Sequence, residues 1–124
     1  MQPEFENGSE ITSGRLQKIL PKAVVMEAFN SILADQLAAG GVRLSGAGRH
    51  ALPIGSDSMD AAEVAAGLVV DVGLDPVYGG TLSESWRVER ARPGFCRPLD
   101  ADSVRETLEK TERGDFVPEG SWRN

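Results

Sequence analysis

At 124 residues the chain has the size of one domain, large enough for a modest core but short for a complete dinucleotide-binding enzyme. Nineteen acids against thirteen Lys and Arg give a net charge of -6, which repels phosphate backbones and anionic membrane surfaces and argues against a nucleic-acid or membrane partner. Hydrophobic residues make up 40% of the chain, yet no run approaches the roughly 20 apolar residues of a membrane span.

Residues 1–10, MQPEFENGSE, read as a polar leader expected to be disordered, without the basic and apolar regions of a signal peptide. Ile11, Leu16, Ile19 and Leu20 then predict a short amphipathic helix ending before Pro21. Ala23 to Phe29 is an apolar run interrupted only by Glu27, which predicts a central strand buried on both faces. Ile32, Leu33, Leu37 and Ala38 fall at helical spacing, with Gly40 and Gly41 where such a helix would end. Gly41 to His50 is a glycine-rich, weakly basic loop.

Ala51 to Gly55 reads as a second strand, and Pro53 within it favours an edge or irregular position. Asp57 or Ser58 can cap the following helix, whose apolar face runs from Ala61 to Val72 and which ends at Gly73. Asp75-Pro76 launches a third strand through Val77 and Tyr78, closed by Gly79-Gly80-Thr81. A charged, solvated helix is predicted over Ser83 to Arg92, then an irregular RPGFCRPLD, then a helix from Asp102 to Arg113 capped by Asp100 or Asp102. In the tail after Gly114, Phe116 and Trp122 are the residues able to dock. Alternating strands and helices predict a layered α/β domain over 11–98 with a small parallel or mixed sheet, followed by a helix and tail over 99–124.

Several motifs have plain structural explanations. Gly46-Ala47-Gly48-Arg49-His50-Ala51 matches the G-x-G-x-x-A fingerprint, but a strand containing Pro53 follows it where a phosphate-binding helix is required. His50 is the only histidine and has no local Ser, Cys or acid pattern, so a structural role is expected. Cys96 is the one cysteine; it cannot form an internal disulfide, which fits a reducing, cytoplasmic setting, and Arg97 beside it would activate the thiol only if it were exposed. Asp57 and Asp60 are accounted for by helix capping rather than metal binding. Trp86, Arg87, Arg90 and Arg92, interleaved with Glu84 and Glu89, read as a solvated helix face.

Taken together, LPKAVVMEAFNSILADQL, RHALPIGSD and LDPVYGGTLSESWRVERARP resemble the C-terminal half of the NADP-dependent reductases of the deazaflavin coenzyme F-420 and related NADP-binding reductases. They also resemble the cytoplasmic reductase domain of the six-transmembrane ferric reductases. The resemblance runs from about Ile11 to Pro98, with Ala28-Phe29-Asn30 and Gly80-Thr81-Leu82 its most specific parts; the family usually has Gly-Pro-Leu at the latter. It implies a partial Rossmann-like fold in which Ala28, Phe29, Asn30, Ser31, Gly80, Thr81 and Leu82 face the crevice where NADP meets a deazaflavin or flavin. It implies no catalytic acid or base and no metal, because hydride passes directly between two cofactors that the protein aligns. The family's N-terminal strand and G-x-G-x-x-G turn do not occur in these residues.

Three functions follow from that combination. The first is a fragment or truncated relative of an NADP-dependent reductase, expected to be inactive by itself. The second is a non-enzymatic dimerisation or interaction module. The third is one half of a split reductase, with a separate chain carrying the nucleotide-binding half; the implied partner is therefore that chain or, in a homo-oligomer, a second copy.

Overall fold

A computed structural model of the chain describes residues 12–46 and 48–123. The leader over 1–10, Ile11 of the first predicted helix and Ala47 of the glycine-rich loop lie outside the described residues. The fold is a small mixed α/β domain built on a three-stranded sheet in the order β1-β2-β3. Its strands are β1 (Met26–Glu27), β2 (Ala51–Ser56) and β3 (Asp75–Tyr78). The helices are α1 (Thr12–Ile19), α2 (Ala34–Ala38), α3 (Met59–Asp71) and α4 (Ala101–Lys110), with 3-10 turns at Leu82–Val88 and Ser121–Arg123. Among the described residues no helix is long and apolar enough to cross a membrane.

The sheet corrects two expectations. The run from Ala23 to Phe29 yields only two paired residues, and they lie at an edge; β2, buried at every position, is the central strand. The short β1 has a local cause in α1. The Gln17 amide donates from Nε2 to the Ala23 carbonyl at 2.6 Å and to the Leu20 carbonyl at 3.1 Å, while its Oε1 accepts the Val25 N–H at 2.9 Å. These backbone groups are therefore satisfied by a side chain before any ladder begins.

Pro53 is tolerated in the centre of the sheet because of register. β2 pairs parallel with β3, Pro53 opposite Val77, and antiparallel with β1, where Glu27 lies opposite Gly55. His50 and Ile54 accept from Asp75 and Gly79, so the even-numbered residues of β2 bond toward β3. Pro53 faces the other way, where Ala51 N–H donates to Leu99 and β1 reaches only as far as Gly55. Its missing N–H leaves no ladder bond unmade.

Alternation along β2 divides the core between its faces. Leu52 and Ile54 pack with Ile32, Ala62, Ala65, Val69 and Leu74, most of which come from α3. Ala51 packs with Val77, Val88, Val104 and Leu108, so α4 covers the opposite face. Each large aliphatic side chain removed from water contributes about 1.5–3 kcal/mol, which makes the two-sided burial of β2 the main local source of stability.

The helix ends follow the residues that mark them. Ser58 Oγ accepts the Ala61 N–H at 3.2 Å, and Asp100 Oδ1 accepts the Ser103 N–H at 2.9 Å. Gly73, at φ +96°, adopts the left-handed conformation that closes α3.

The segment predicted as a solvated helix from Ser83 to Arg92 differs most. It is a 3-10 turn over Leu82–Val88, and Trp86 and Arg92 are buried rather than displayed. The Arg92 guanidinium lies over Trp86 at 4.9 Å and over Phe116 at 4.1 Å. It donates to the carbonyls of Arg113 at 2.6 Å, Asp115 at 3.1 Å and Glu112 at 3.4 Å, just past α4. Trp122 docks as well, edge-on to Phe95 with ring centroids 5.2 Å apart.

Candidate functional site

The parallel strands β2 and β3 end side by side, and in open α/β sheets the carboxyl ends of parallel strands are where ligands are received. At that end, Ser56 N–H donates to the Gly80 carbonyl at 3.2 Å and the Tyr78 hydroxyl donates to the Ser56 carbonyl at 3.1 Å. Asp57 Oδ1 accepts the Leu82 N–H at 3.0 Å, joining the turn after β2 to the turn after β3.

Beside these turns opens a cleft of about 580 Å³ lined by Val77 to Gly80, Glu84, Arg87 and three residues of α4, Arg105, Leu108 and Glu109. A narrow recess of about 10 Å³, the space of a single water, adjoins it and shares Gly79, Glu84, Arg87 and Leu108 with it. The recess reaches Thr81, Ser85 and Glu27. Its polar groups are organised in pairs: Thr81 Oγ1 lies 3.0 Å from Ser83 Oγ and donates to Glu84 Oε1 at 3.4 Å, and Arg87 lies 3.7 Å from Glu84. The Glu27 carboxylate accepts from Ser13 Oγ at 3.1 Å and from Asn30 Nδ2 at 3.3 Å.

The seven residues singled out from the sequence divide. Gly80 lines the cleft and Thr81 the recess, while Leu82 is buried and contributes its backbone N–H to Asp57. Ala28 and Phe29 pack against the core on the α3 side, and Ser31 is buried with its hydroxyl toward the Val88 carbonyl at 3.5 Å. Only Asn30 of that group is exposed, and it reaches the recess through Glu27. The physical reason is strand direction. β1 runs antiparallel to β2, so the residues following β1 head toward the amino end of β2, away from Gly80 and Thr81.

Glu27 is a residue that sequence reasoning passed over. Its signal was the single acid interrupting an apolar run, and the structure explains it as a half-buried carboxylate facing the recess.

The remaining candidates take structural positions. Cys96 is buried, and burial pushes its thiol pKa up, away from the reactive thiolate. His50 is buried at the amino end of β2, where its Nδ1 accepts the Val42 N–H at 2.9 Å. Among the described residues no three His, Cys, Asp or Glu side chains converge as a metal site.

No family model matches the chain, and no solved structure matches it. The chain is similar to the Escherichia coli (strain K12) protein YjhV, with 32% identity over 68 residues. Those residues are 55% of this chain and 50% of YjhV, so the match spans half the length of that relative.

Proposed function

We propose that the chain is the C-terminal portion, or a truncated relative, of an NADP-dependent reductase, forming the side of a Rossmann-like site where the nicotinamide meets a deazaflavin or flavin. The observation that carries this reading is the β2–α3–β3 unit, whose parallel strands end together at Gly80 and Thr81 beside a cleft of about 580 Å³. In this reading Gly80 keeps the backbone low so that a planar ring can approach, Thr81 offers a hydroxyl at the ring edge, and Arg87 and Glu84 set the local field. The chemistry is hydride transfer between two bound rings, and the protein's part is alignment and exclusion of water. A phosphate-binding half has to come from elsewhere, as a preceding segment or a separate chain, and a cytoplasmic setting belongs to the same reading. Titrating the purified chain with a deazaflavin, followed by ring fluorescence, tests it: saturable binding weakened by Thr81→Ala supports the site, and no binding removes it.

A second reading, an interaction module, is favoured by α3. Val64, Leu68 and Val72 follow one another along one side of the helix and Met59 and Val70 lie on the other, all exposed. A helix apolar over so much of its circumference is usually covered. Sedimentation at rising concentration tests this reading, which predicts association that Leu68→Asp diminishes and is contradicted by a monomer throughout.

A further inference from the structure

We propose that the glycine-rich loop between α2 and β2 is a second ligand site, which binds a small oxyanion through Arg43, Arg49 and the imidazole of His50. The loop borders an open hollow of about 330 Å³ lined by these three residues and by glycines that include Gly41, Gly48 and Gly73. The hollow sits at the amino ends of β2 and β3, the opposite end of the sheet from Gly80, so the inference is independent of the reductase reading.

His50 supplies the central argument. It is 3% exposed, and its Nδ1 accepts the Val42 N–H at 2.9 Å. A backbone N–H can only donate, so Nδ1 is the unprotonated nitrogen and the neutral ring carries its proton on Nε2. That Nε2–H has no acceptor among the described residues and is not shut off from solvent, so it is an open donor where the ring lines the hollow. The site therefore offers an N–H donor that water or a ligand can take.

The charged side chains that line it have one sign. No acidic residue lines the hollow. Asp75 stands near Arg49, but the contact is a loose 3.7 Å to Nε between exposed side chains, which leaves the terminal guanidinium nitrogens for another partner. Asp100 lies against Gly48, outside the lining, and its Oδ1 caps α4 through the Ser103 N–H. Arg43 is exposed and makes no ion pair among the described residues. Two guanidinium groups and a neutral N–H form a donor set without an acceptor, which selects an anion, and the guanidinium fork matches the paired oxygens of phosphate or carboxylate. The volume exceeds a bare phosphate and leaves room for a small organic phosphate or carboxylate.

Because His50 is the only histidine, its imidazole resonances report on this site alone. The test follows them by 1H–15N NMR while the folded chain is titrated separately with inorganic phosphate, glycerol phosphate and succinate. The expected result is a saturable shift of the His50 signals at millimolar ligand. Arg43→Ala or Arg49→Ala should weaken binding by about tenfold, while Arg97→Ala, at an exposed residue that does not line the hollow, leaves it unchanged. The stronger of the phosphate and carboxylate arms identifies the ligand's acidic group. A His50 signal that does not respond to any of the three, or responds equally in the Arg43→Ala/Arg49→Ala double variant, overturns the proposal. Both variants alter exposed side chains, so circular dichroism identical to the parent separates loss of binding from loss of fold.

Discussion

Asp57 Oδ1 accepts the backbone N–H of Leu82 at 3.0 Å, across 25 positions of sequence. The bond ties the end of the central strand to the first turn after β3, and Gly80 and Thr81 lie immediately before that anchor. A carboxylate acceptor on an N–H contributes about 1.5–3 kcal/mol when shielded, and less here because Asp57 is exposed. Asp57→Ala should therefore destabilise the chain by about 1 kcal/mol in urea unfolding, with Asp57→Asn, which keeps an acceptor oxygen, costing less. Equal losses for the two would mean that the bond itself is not the cause.

Gly80 has φ +110°, and a Cβ there would come within 2.1 Å of Glu84 Oε2. Gly80→Ala thus combines backbone strain, about 1–3 kcal/mol, with a clash against a side chain that can swing away. The double variant Gly80→Ala/Glu84→Ala should recover the clash but not the strain. Thermal unfolding of the parent, both singles and the double measures the two parts; complete recovery in the double would show the backbone to be unstrained.

Arg92 should be the least replaceable charged residue among those described. It is 8% exposed, lies between Trp86 and Phe116, and donates to three carbonyls that follow α4. Arg92→Ala should cost about 1–2 kcal/mol by urea denaturation, since it removes a buried guanidinium that packs on Trp86 together with its bonds to three carbonyls, which water can in part replace because Glu112, Arg113 and Asp115 are exposed. Arg92→Lys should restore little, because an ammonium cannot span the carbonyls or stack as a plane. A lysine variant as stable as the parent would contradict this.

Burial lowers the pKa of His50 from its ordinary 6.5, so the unfolded chain takes up a proton there more readily than the folded one. The corresponding stability is complete above pH 6.5, falls as the pH drops through that value, and levels off below the folded pKa. Glu89, whose pKa is raised by burial, contributes with the opposite sign as the pH falls toward its ordinary 4.5. The His50 part is isolated by subtracting the unfolding free energy of His50→Gln from that of the parent between pH 5 and 8, a range that brackets the imidazole value. That difference should decline on the acid side, and a flat difference would show that the histidine titrates normally.

Local signals carried the elements well and their assembly poorly. The α3 boundaries were legible because Ser58 and Gly73 act within a turn of the helix they mark, and so was the cap by Asp100. Strand order was not, because an apolar run such as Ala23 to Phe29 encodes burial but not which neighbour supplies its hydrogen bonds. Here Gln17 took two of those groups. The same limit governed the site. Gly80 and Thr81 follow a strand parallel to β2 and reach the cleft and its recess, whereas Ala28, Phe29 and Ser31 follow an antiparallel strand and turn toward the core. Arg92 looked solvated because its partners, the carbonyls from Glu112 to Asp115, return from about 20 residues away, beyond any helical period.

The central claim is that the strand ends at Gly80 and Thr81 form the ring-proximal side of a reductase site that lacks its nucleotide anchor. It is tested most directly by mixing the purified chain with NADPH and a deazaflavin and measuring ring binding and hydride transfer together, in the parent, Thr81→Ala and Asn30→Ala. The account predicts weak deazaflavin binding that Thr81→Ala and, through Glu27, Asn30→Ala reduce, with little or no NADPH oxidation by the chain alone. Robust turnover by the isolated chain, unchanged in both variants, would contradict it.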